Sequence, residues 1–101
     1  MAYERLVGLD VADEALYQEY RDRMRPILAS YGGGFGYDFR IAETLQSRTD
    51  APINRVFTLY FPDEAAKDRF FGDPAYKAVR AETYDKAVRA STILATYERP
   101  D

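Results

Sequence analysis

Cysteine and histidine are both absent from this chain of 101 residues. Without them the chain cannot form a disulfide, and it lacks the nitrogen and sulfur ligands that usually hold zinc, haem iron or copper. The same absence removes Ser-His and Cys-His nucleophile pairs, so acid–base chemistry would fall to carboxylates, tyrosine, lysine or arginine. We therefore expect no metal and no cofactor, and a chain without disulfides is typical of the cytoplasm.

Long apolar runs and clusters of basic residues are also missing. No run approaches the roughly 18 apolar residues of a transmembrane helix, and the N-terminus lacks the basic and apolar segments of a signal peptide. The net charge is −3, and no cluster of Lys and Arg marks a surface that would follow nucleic-acid phosphates. We therefore expect a cytoplasmic protein that binds neither a membrane nor nucleic acid.

Hydrophobic residues make up 47% of the chain and charged residues 31%, which is typical of a globular domain. The length predicts a single domain over residues 1–101. Nine Tyr and six Phe are more rings than a core of this size usually needs. Some of them are therefore expected to contact a second chain or a ligand.

The periodic segments follow one another in the order β-α-β-β-α-β, the signature of a ferredoxin-like α+β unit with a four-stranded antiparallel sheet. Strands are predicted over residues 3–10, 35–43, 55–61 and 91–98, and helices over residues 13–31, 63–71 and 73–90. Pro26 is expected to kink or break the first helix, and Gly32 or Gly33 to end it with a positive φ. Such a unit leaves one face of its sheet without helices.

Alternate strand positions sort into two unlike faces. One is almost wholly apolar and is predicted to pack on the helices: Val7, Leu9, Phe35, Tyr37, Phe39, Ile41, Phe57, Leu59, Phe61, Ile93, Ala95 and Tyr97. The other is mixed: Glu4, Leu6, Gly8, Gly36, Asp38, Arg40, Ala42, Val56, Thr58, Tyr60, Thr92, Leu94, Thr96 and Glu98. A mixed face is typical of a ligand-binding cavity or of a sheet that a second subunit covers.

Five residues of the mixed face are candidates for binding a ligand: Asp38, Arg40, Thr58, Tyr60 and Thr96. Arg40 suits a carboxylate or enolate, and Asp38 suits a proton acceptor. The alternative for these two is a partly solvated ion pair or a bridge between subunits. Tyr60 suits either a hydrogen bond to a substrate oxygen or simple packing, and the threonines are also ordinary strand residues.

Three segments resemble marker positions of domain-of-unknown-function family 1330: Tyr31-Gly32-Gly33, Leu59-Tyr60-Phe61-Pro62 and Asp73-Pro74-Ala75-Tyr76. That family belongs to the dimeric α+β barrel superfamily, so the resemblance implies a homodimer whose two sheets close into a barrel. Superfamily relatives include cofactor-independent monooxygenases, muconolactone isomerases and haem-binding enzymes. The chain departs from the common pattern at Arg40, near which an Arg-Gly-Gly stretch is expected, and at Tyr60, where an acidic residue often stands.

Two functions from different classes remain open. The first is a homodimeric protein of unknown function that binds a small molecule in the barrel and performs no reaction. The second is a cofactor-independent enzyme, monooxygenase-like or isomerase-like, that acts on a small cyclic or aromatic acid. The absence of His and of an obvious base favours the first, and it disfavours the haem-binding relatives. Convergence of Asp38, Arg40 and Tyr60 in a closed cavity would favour the enzyme.

Overall fold

The structure, a computed structural model, describes residues 1–100. Its elements are β1 (Ala2–Val11), α1 (Glu14–Ser30), β2 (Gly34–Arg40), β3 (Arg55–Phe61), α2 (Glu64–Gly72), α3 (Pro74–Glu82), α4 (Tyr84–Ala87) and β4 (Val88–Arg99). The strands form one antiparallel sheet in the order β2-β3-β1-β4. The helices pack on one face, the helix side, and the other is called the open face. The predicted ferredoxin-like α+β fold is confirmed.

The helix ends follow the cap residues that the sequence contains. The carboxylates of Asp13, Asp63 and Asp73 accept hydrogen bonds from backbone N–H groups in the first turns of α1, α2 and α3. Beyond α1, Gly32 has a φ of +75°, as predicted, and a Cβ there would lie 2.7 Å from Cγ of Pro62. The three aspartates therefore fix where α1, α2 and α3 begin, and Gly32 fixes where α1 ends.

The helix predicted over residues 73–90 is shorter than expected. It ends at Glu82, Thr83 follows with a hydroxyl that donates to the carbonyl of Val79, and the single turn α4 comes next. The chain is already extended at Val88, which pairs with Val11 of β1. Sheet pairing therefore overrides the helical pattern of residues 88–90, because Val88 and Ala90 both gain partners on the inner strand β1.

Pro26 is predicted to kink or break the first helix, and it does not break it, because α1 continues through it to Ser30. Only one further turn follows Pro26, and Asp22, whose carbonyl loses its helical donor, is exposed to solvent. At 17 residues α1 is the longest helix. None of the helices within residues 1–100 has the length and apolar character needed to cross a membrane.

A bulge in β2 changes which of its side chains face the helices. Phe35 pairs with Leu59 but Asp38 pairs with Phe57, so β2 has one residue more than β3 over this stretch. The alternation shifts by one position, and Asp38 turns to the helix side. The strand parity of Tyr37 and Phe39 is therefore predicted wrongly, since both leave the helix side and are 66% and 52% exposed. The strand also ends at Arg40 rather than residue 43.

A second bulge, in β4, also shifts the alternation of side chains by one position. Leu6 pairs with Ala95 and Val7 with Ile93, which leaves Leu94 as the extra residue. Ala95 and Tyr97, both predicted to face the helices, are shifted to the open face, where the Tyr97 hydroxyl donates to Glu4. Thr96, predicted on the mixed face, instead pairs with Arg5 and shares the helix side with it.

Candidate functional site

A cavity of about 190 Å³ lies between the helix side of the sheet and the helices. Seven of its lining side chains are aromatic: Tyr17, Tyr20, Phe35, Phe57, Phe71, Tyr76 and Tyr84. An apolar cavity of about 150 Å³ is known to hold benzene, so this one has the size for a single ring with a small substituent. Its position beneath the sheet and its aromatic walls make it the candidate site.

The lining follows from the periods of the elements. On α1 the residues Tyr17, Tyr20 and Met24 are three and four apart, so they lie on one side of the helix. After them in the chain, Tyr76, Arg80 and Tyr84 repeat every four residues across α3 and α4. The strands contribute alternate residues from β1 and β3: Arg5, Val7, Phe57 and Leu59.

A larger groove of about 830 Å³ lies on the opposite side of the sheet, between the loop over residues 41–54 and the open face. Much of its wall is loop side chains that project into solvent, such as Leu45, which is 87% exposed. Volume alone does not make a binding site, because a ligand gains most from surfaces that enclose it. The smaller cavity on the helix side is the better candidate for this reason.

Arg5 is the only residue within 1–100 whose side chain has a buried nitrogen or oxygen without a hydrogen-bond partner, and that atom is Nε. Its guanidinium carbon lies 5.0 Å from the centre of the Phe71 ring and 5.9 Å from that of Tyr3. Stacking on rings holds the group in place but gives Nε no acceptor. An unpaired buried donor costs about 1–3 kcal/mol, more when it is charged.

A pair of hydroxyl groups lies on the helix wall of the same cavity. The Tyr20 and Tyr76 oxygens are 2.8 Å apart, and both side chains are buried. Burial raises the pKa of both phenols, so both keep their protons at neutral pH. Only one of the two protons is used in the bond between them, which leaves the other hydroxyl able to donate to a ligand.

The Arg21 cluster, made of Tyr17, Arg21, Asp38 and Arg55, lies beside this cavity. Nε of the buried Arg21 donates to the Tyr17 hydroxyl at 2.8 Å, and its terminal nitrogens lie 3.2 and 3.4 Å from the Asp38 carboxylate. Arg55 donates two further bonds to the same carboxylate, both of 2.8 Å. The bulge in β2 makes this possible, because it turns Asp38 towards α1.

The two cations of the Arg21 cluster are met by carboxylates of the chain, namely Asp38 and, 3.6 Å from Arg55, Glu14. The hydrogen bond from Arg55, aided by the charge of Arg21, holds the pKa of Asp38 below its ordinary value of 3.8. Burial raises the pKa of Tyr17 to about 12, although Arg21 and Arg55 oppose the shift. Asp38 is therefore an ionised carboxylate with both oxygens occupied, which suits an ion pair and not a proton acceptor.

A family model described as "Domain of unknown function (DUF1330)" matches residues 5–97, which include both the cavity and the Arg21 cluster. The chain belongs to this family. The resemblance of its three marker segments to family 1330 is therefore confirmed. Because the family's function is not known, the match identifies no ligand and no reaction.

Solved structures share the fold of this DUF1330 chain. A protein of unknown function from Rhodopseudomonas palustris is similar at 17% identity and a TM-score of 0.79, over 99% of this chain and 83% of that one. A dimeric ferredoxin-like protein of unknown function from Jannaschia has 13% identity and a TM-score of 0.59, over 98% and 100%. SnoaB, a cofactor-independent oxygenase from Streptomyces nogalater, has 12% identity and a TM-score of 0.58, over 99% and 92%. No curated protein matches the sequence.

The five predicted site residues of the DUF1330 chain do not come together. Asp38 pairs with Arg21 and Arg55, whereas the Arg40 side chain is 77% exposed and lies 4.0 Å from Glu14. Thr58 accepts the backbone N–H of the β2 bulge at 2.7 Å. Two more lie apart from these: Tyr60 on the open face, with Arg99 stacked on it at 5.0 Å, and Thr96 beside a surface recess near Tyr3. The convergence of Asp38, Arg40 and Tyr60 that would favour the enzyme is thus not observed.

Three residues that offer polar groups to a ligand in this cavity were not identified from the sequence, namely Arg5, Tyr20 and Tyr76. A signal for Arg5 was present, because it has the same parity as Val7 and Leu9 on a strand whose apolar side faces the helices. A cation at such a position is unusual and indicates a buried partner. As for metals, the described part of the chain contains no group of three or more acidic side chains placed to hold an ion.

Proposed function

We propose that this DUF1330 protein is a homodimeric binding protein for a small molecule, which it holds in the cavity between sheet and helices. The observation that supports this most is the cavity of about 190 Å³, which seven aromatic side chains line. Such a lining favours a ring, and the unpaired hydroxyl proton of the Tyr20–Tyr76 pair offers a polar contact. Cytoplasmic location, the lack of a cofactor and the lack of nucleic-acid binding stay predictions.

Binding can be tested with neutral single-ring probes such as phenol and benzyl alcohol, followed by calorimetry and thermal melts. A ligand at about 100 times its Kd should raise the unfolding free energy by about 2.7 kcal/mol. Val7→Phe should remove the binding, because it places a ring inside the cavity that the probe would otherwise occupy. Leu59→Phe tests the same point from β3 if the first variant folds poorly.

Ile27→Phe is the matched control, since Ile27 packs against the core from α1 but does not line the cavity. It should bind the probes as the unaltered protein does. Binding that survives in both cavity-filling variants would place the ligand elsewhere and contradict the proposal. So would a complete lack of binding by the unaltered protein to every single-ring probe.

The homodimer is proposed from the open face. Large apolar side chains are exposed there, among them Tyr37 at 66%, Phe39 at 52% and Tyr97 at 41%. Tyr37 and Phe39 are stacked with ring centres 5.9 Å apart, and together they form an apolar surface that favours burial against a second copy. The Jannaschia protein of similar fold is described as dimeric, which supports the same assembly here.

Sedimentation at micromolar concentration tests the homodimer. The unaltered protein should sediment as a symmetric dimer, and Phe39→Glu should sediment as a monomer because it places a charge in the proposed contact. Lys77→Glu, on α3 far from the open face, is the control and should stay dimeric. A monomeric unaltered protein would contradict this part of the proposal.

The alternative is a cofactor-independent enzyme acting on a small cyclic or aromatic acid, and SnoaB is named as a cofactor-independent oxygenase. An isomerase that moves a proton needs a base within reach of its substrate. The cavity walls within residues 1–100 include no Asp or Glu, and Asp38 nearby is engaged by two arginines. This lining supports binding more than reaction, and oxygen uptake with phenolic probes would reverse that preference.

A further inference from the structure

Arg5 is a half-buried cation in the wall of the cavity, and no carboxylate within residues 1–100 forms an ion pair with it. It lies on β1, the strand between β3 and β4, and pairs there with Leu59 and Thr96. Its Nε–H is buried and has no acceptor within residues 1–100. Buried side-chain donors in folded proteins are nearly always hydrogen-bonded, so an unpaired one indicates an acceptor that the chain itself does not supply.

The charges around the cavity favour an anion as that acceptor. Two of the lining side chains are cations, Arg5 and Arg80, and none is acidic. Arg80 already has a partner, because its Nε lies 3.5 Å from the carboxylate of Asp85. The positive charge of Arg5 is therefore the one left unbalanced, and in a site of low dielectric it attracts an anionic oxygen strongly.

The walls near Arg5 define the rest of the ligand. Phe71, on which the guanidinium stacks, is in edge contact with Tyr76 at a ring distance of 5.6 Å, and the hydroxyl of Tyr76 meets that of Tyr20. A flat ring bound between these aromatic side chains would have the Arg5 guanidinium at one end. The hydroxyl groups of Tyr20 and Tyr76 would lie in the wall of the cavity beside it. The volume beyond that of a benzene site is about that of one small polar substituent.

We propose that Arg5 anchors the ligand of this cavity, and that the ligand is a small monocyclic carboxylate whose oxygens accept hydrogen bonds from the Arg5 guanidinium. This rests on the proposed function, since it assumes that the cavity binds a ring, and it adds the charge of the ligand and the residue that recognises it. Arg5 fixes the carboxylate, the aromatic walls hold the ring, and the free proton of the Tyr20–Tyr76 pair contributes a second donor.

The test compares benzoate with benzyl alcohol, which has nearly the same shape but no charge. Calorimetry with the full-length protein should show benzoate binding about tenfold or more tightly than benzyl alcohol, which is the effect of one charge-assisted hydrogen bond. Arg5→Met should remove that preference and leave the affinity for benzyl alcohol within about twofold, because Met keeps the apolar stem and loses only the donors. Arg5→Gln serves the same purpose if Arg5→Met folds poorly.

Arg25→Met is the matched control. Arg25 also stacks on a ring, 5.4 Å from the centre of Phe35, but it does not line the cavity. It should keep the full preference for benzoate. The role of Arg5 would be overturned if the unaltered protein bound benzoate and benzyl alcohol with equal affinity. It would also be overturned if Arg5→Met lost affinity for both probes equally. The binding function would stand in either case. If neither probe binds the unaltered protein, both proposals fall.

Discussion

Two arginines on the helix side of the sheet, Arg21 and Arg5, differ in whether a carboxylate of the chain pairs with them. Arg21 is 1% exposed, and the Tyr17 hydroxyl and the Asp38 carboxylate accept its hydrogen bonds. Arg5 lies 5.0 Å from the centre of the Phe71 ring and Arg21 lies 3.9 Å from that of Phe35, but the buried Nε of Arg5 has no acceptor within residues 1–100. Both guanidiniums lie against aromatic rings, but Arg21 is fully buried and paired with a carboxylate, whereas Arg5 is only partly buried and has no such partner within residues 1–100.

The difference separates a structural site from a binding site. A buried cation whose hydrogen bonds are met inside the chain contributes to the fold, and the carboxylate it pairs with is not free for chemistry. A partly buried cation that has one buried donor without an acceptor costs the folded state free energy, and a bound anion would offset part of that cost. The Arg21 cluster is accordingly expected to govern stability, and Arg5 to govern what the cavity binds.

The largest effect is expected when the carboxylate between the two arginines is neutralised. Asp38→Asn should lower the unfolding free energy by about 3 kcal/mol, the low end for removing one partner of a buried ion pair. The low end applies because the Asp38 side chain is 32% exposed while Arg21 and Arg55 are buried. Urea denaturation of both proteins at neutral pH measures the difference.

Asp68→Asn is the control for Asp38→Asn. Asp68 also pairs with a cation, Lys67, but its side chain is 68% exposed. An exposed pair of this kind contributes about 0–1 kcal/mol, so the control should stay close to the unaltered protein. If Asp38→Asn is as stable as the control, the Arg21 cluster does not hold the fold together as described.

The second prediction concerns acid. Because the pKa of Asp38 in the folded protein lies below the ordinary 3.8, its ion pairs contribute fully above that pH and lose their effect as the pH falls through the lowered pKa. The gap in unfolding free energy between the unaltered protein and Asp38→Asn should therefore be constant near neutral pH. It should narrow once the pH falls below about 4. A gap that is the same at low and neutral pH would show that the ionisation of Asp38 is not its source.

The smallest change in stability is expected at Arg5. Arg5→Met removes an unpaired donor, and the relief offsets the lost stacking on Phe71, which contributes about 0.5–1 kcal/mol. The unfolding free energy should therefore stay within about 1 kcal/mol of that of the unaltered protein. Arg21→Met should lose about 2–3 kcal/mol, because it leaves the Tyr17 hydroxyl and part of the Asp38 carboxylate without their donor. Equal losses in the two variants would remove the distinction.

Much of the fold could be predicted from local signals in the sequence. The positive φ predicted at Gly32 or Gly33 is found at Gly32, and the caps Asp13, Asp63 and Asp73 likewise use chemistry that depends on a few neighbouring residues. The order of strands and helices follows from their periods. Local rules failed at residues 88–90, where pairing with β1 outweighed helical spacing.

The candidate site could be predicted less well, and the reason is geometric. A bulge adds one residue to a strand and turns every later side chain to the other face, so a parity rule gives the wrong face beyond it. Asp38 and Tyr97 lie beyond bulges in this way, whereas β1 shows Arg5, Val7 and Leu9 on one face as its parity predicts. The uninterrupted strand β1 was thus the place where a cation on the helix side of the sheet could have been recognised.

A crystal structure of the protein with benzoate tests the central claim most directly. The predicted result is a ring in the cavity between sheet and helices, with a carboxylate oxygen about 2.7–3.2 Å from a guanidinium nitrogen of Arg5. The Asp38 carboxylate should remain paired with Arg21 and Arg55 in that complex. A benzoate that instead displaces Asp38 from those arginines, or that leaves the cavity empty and binds at the surface, would contradict the account.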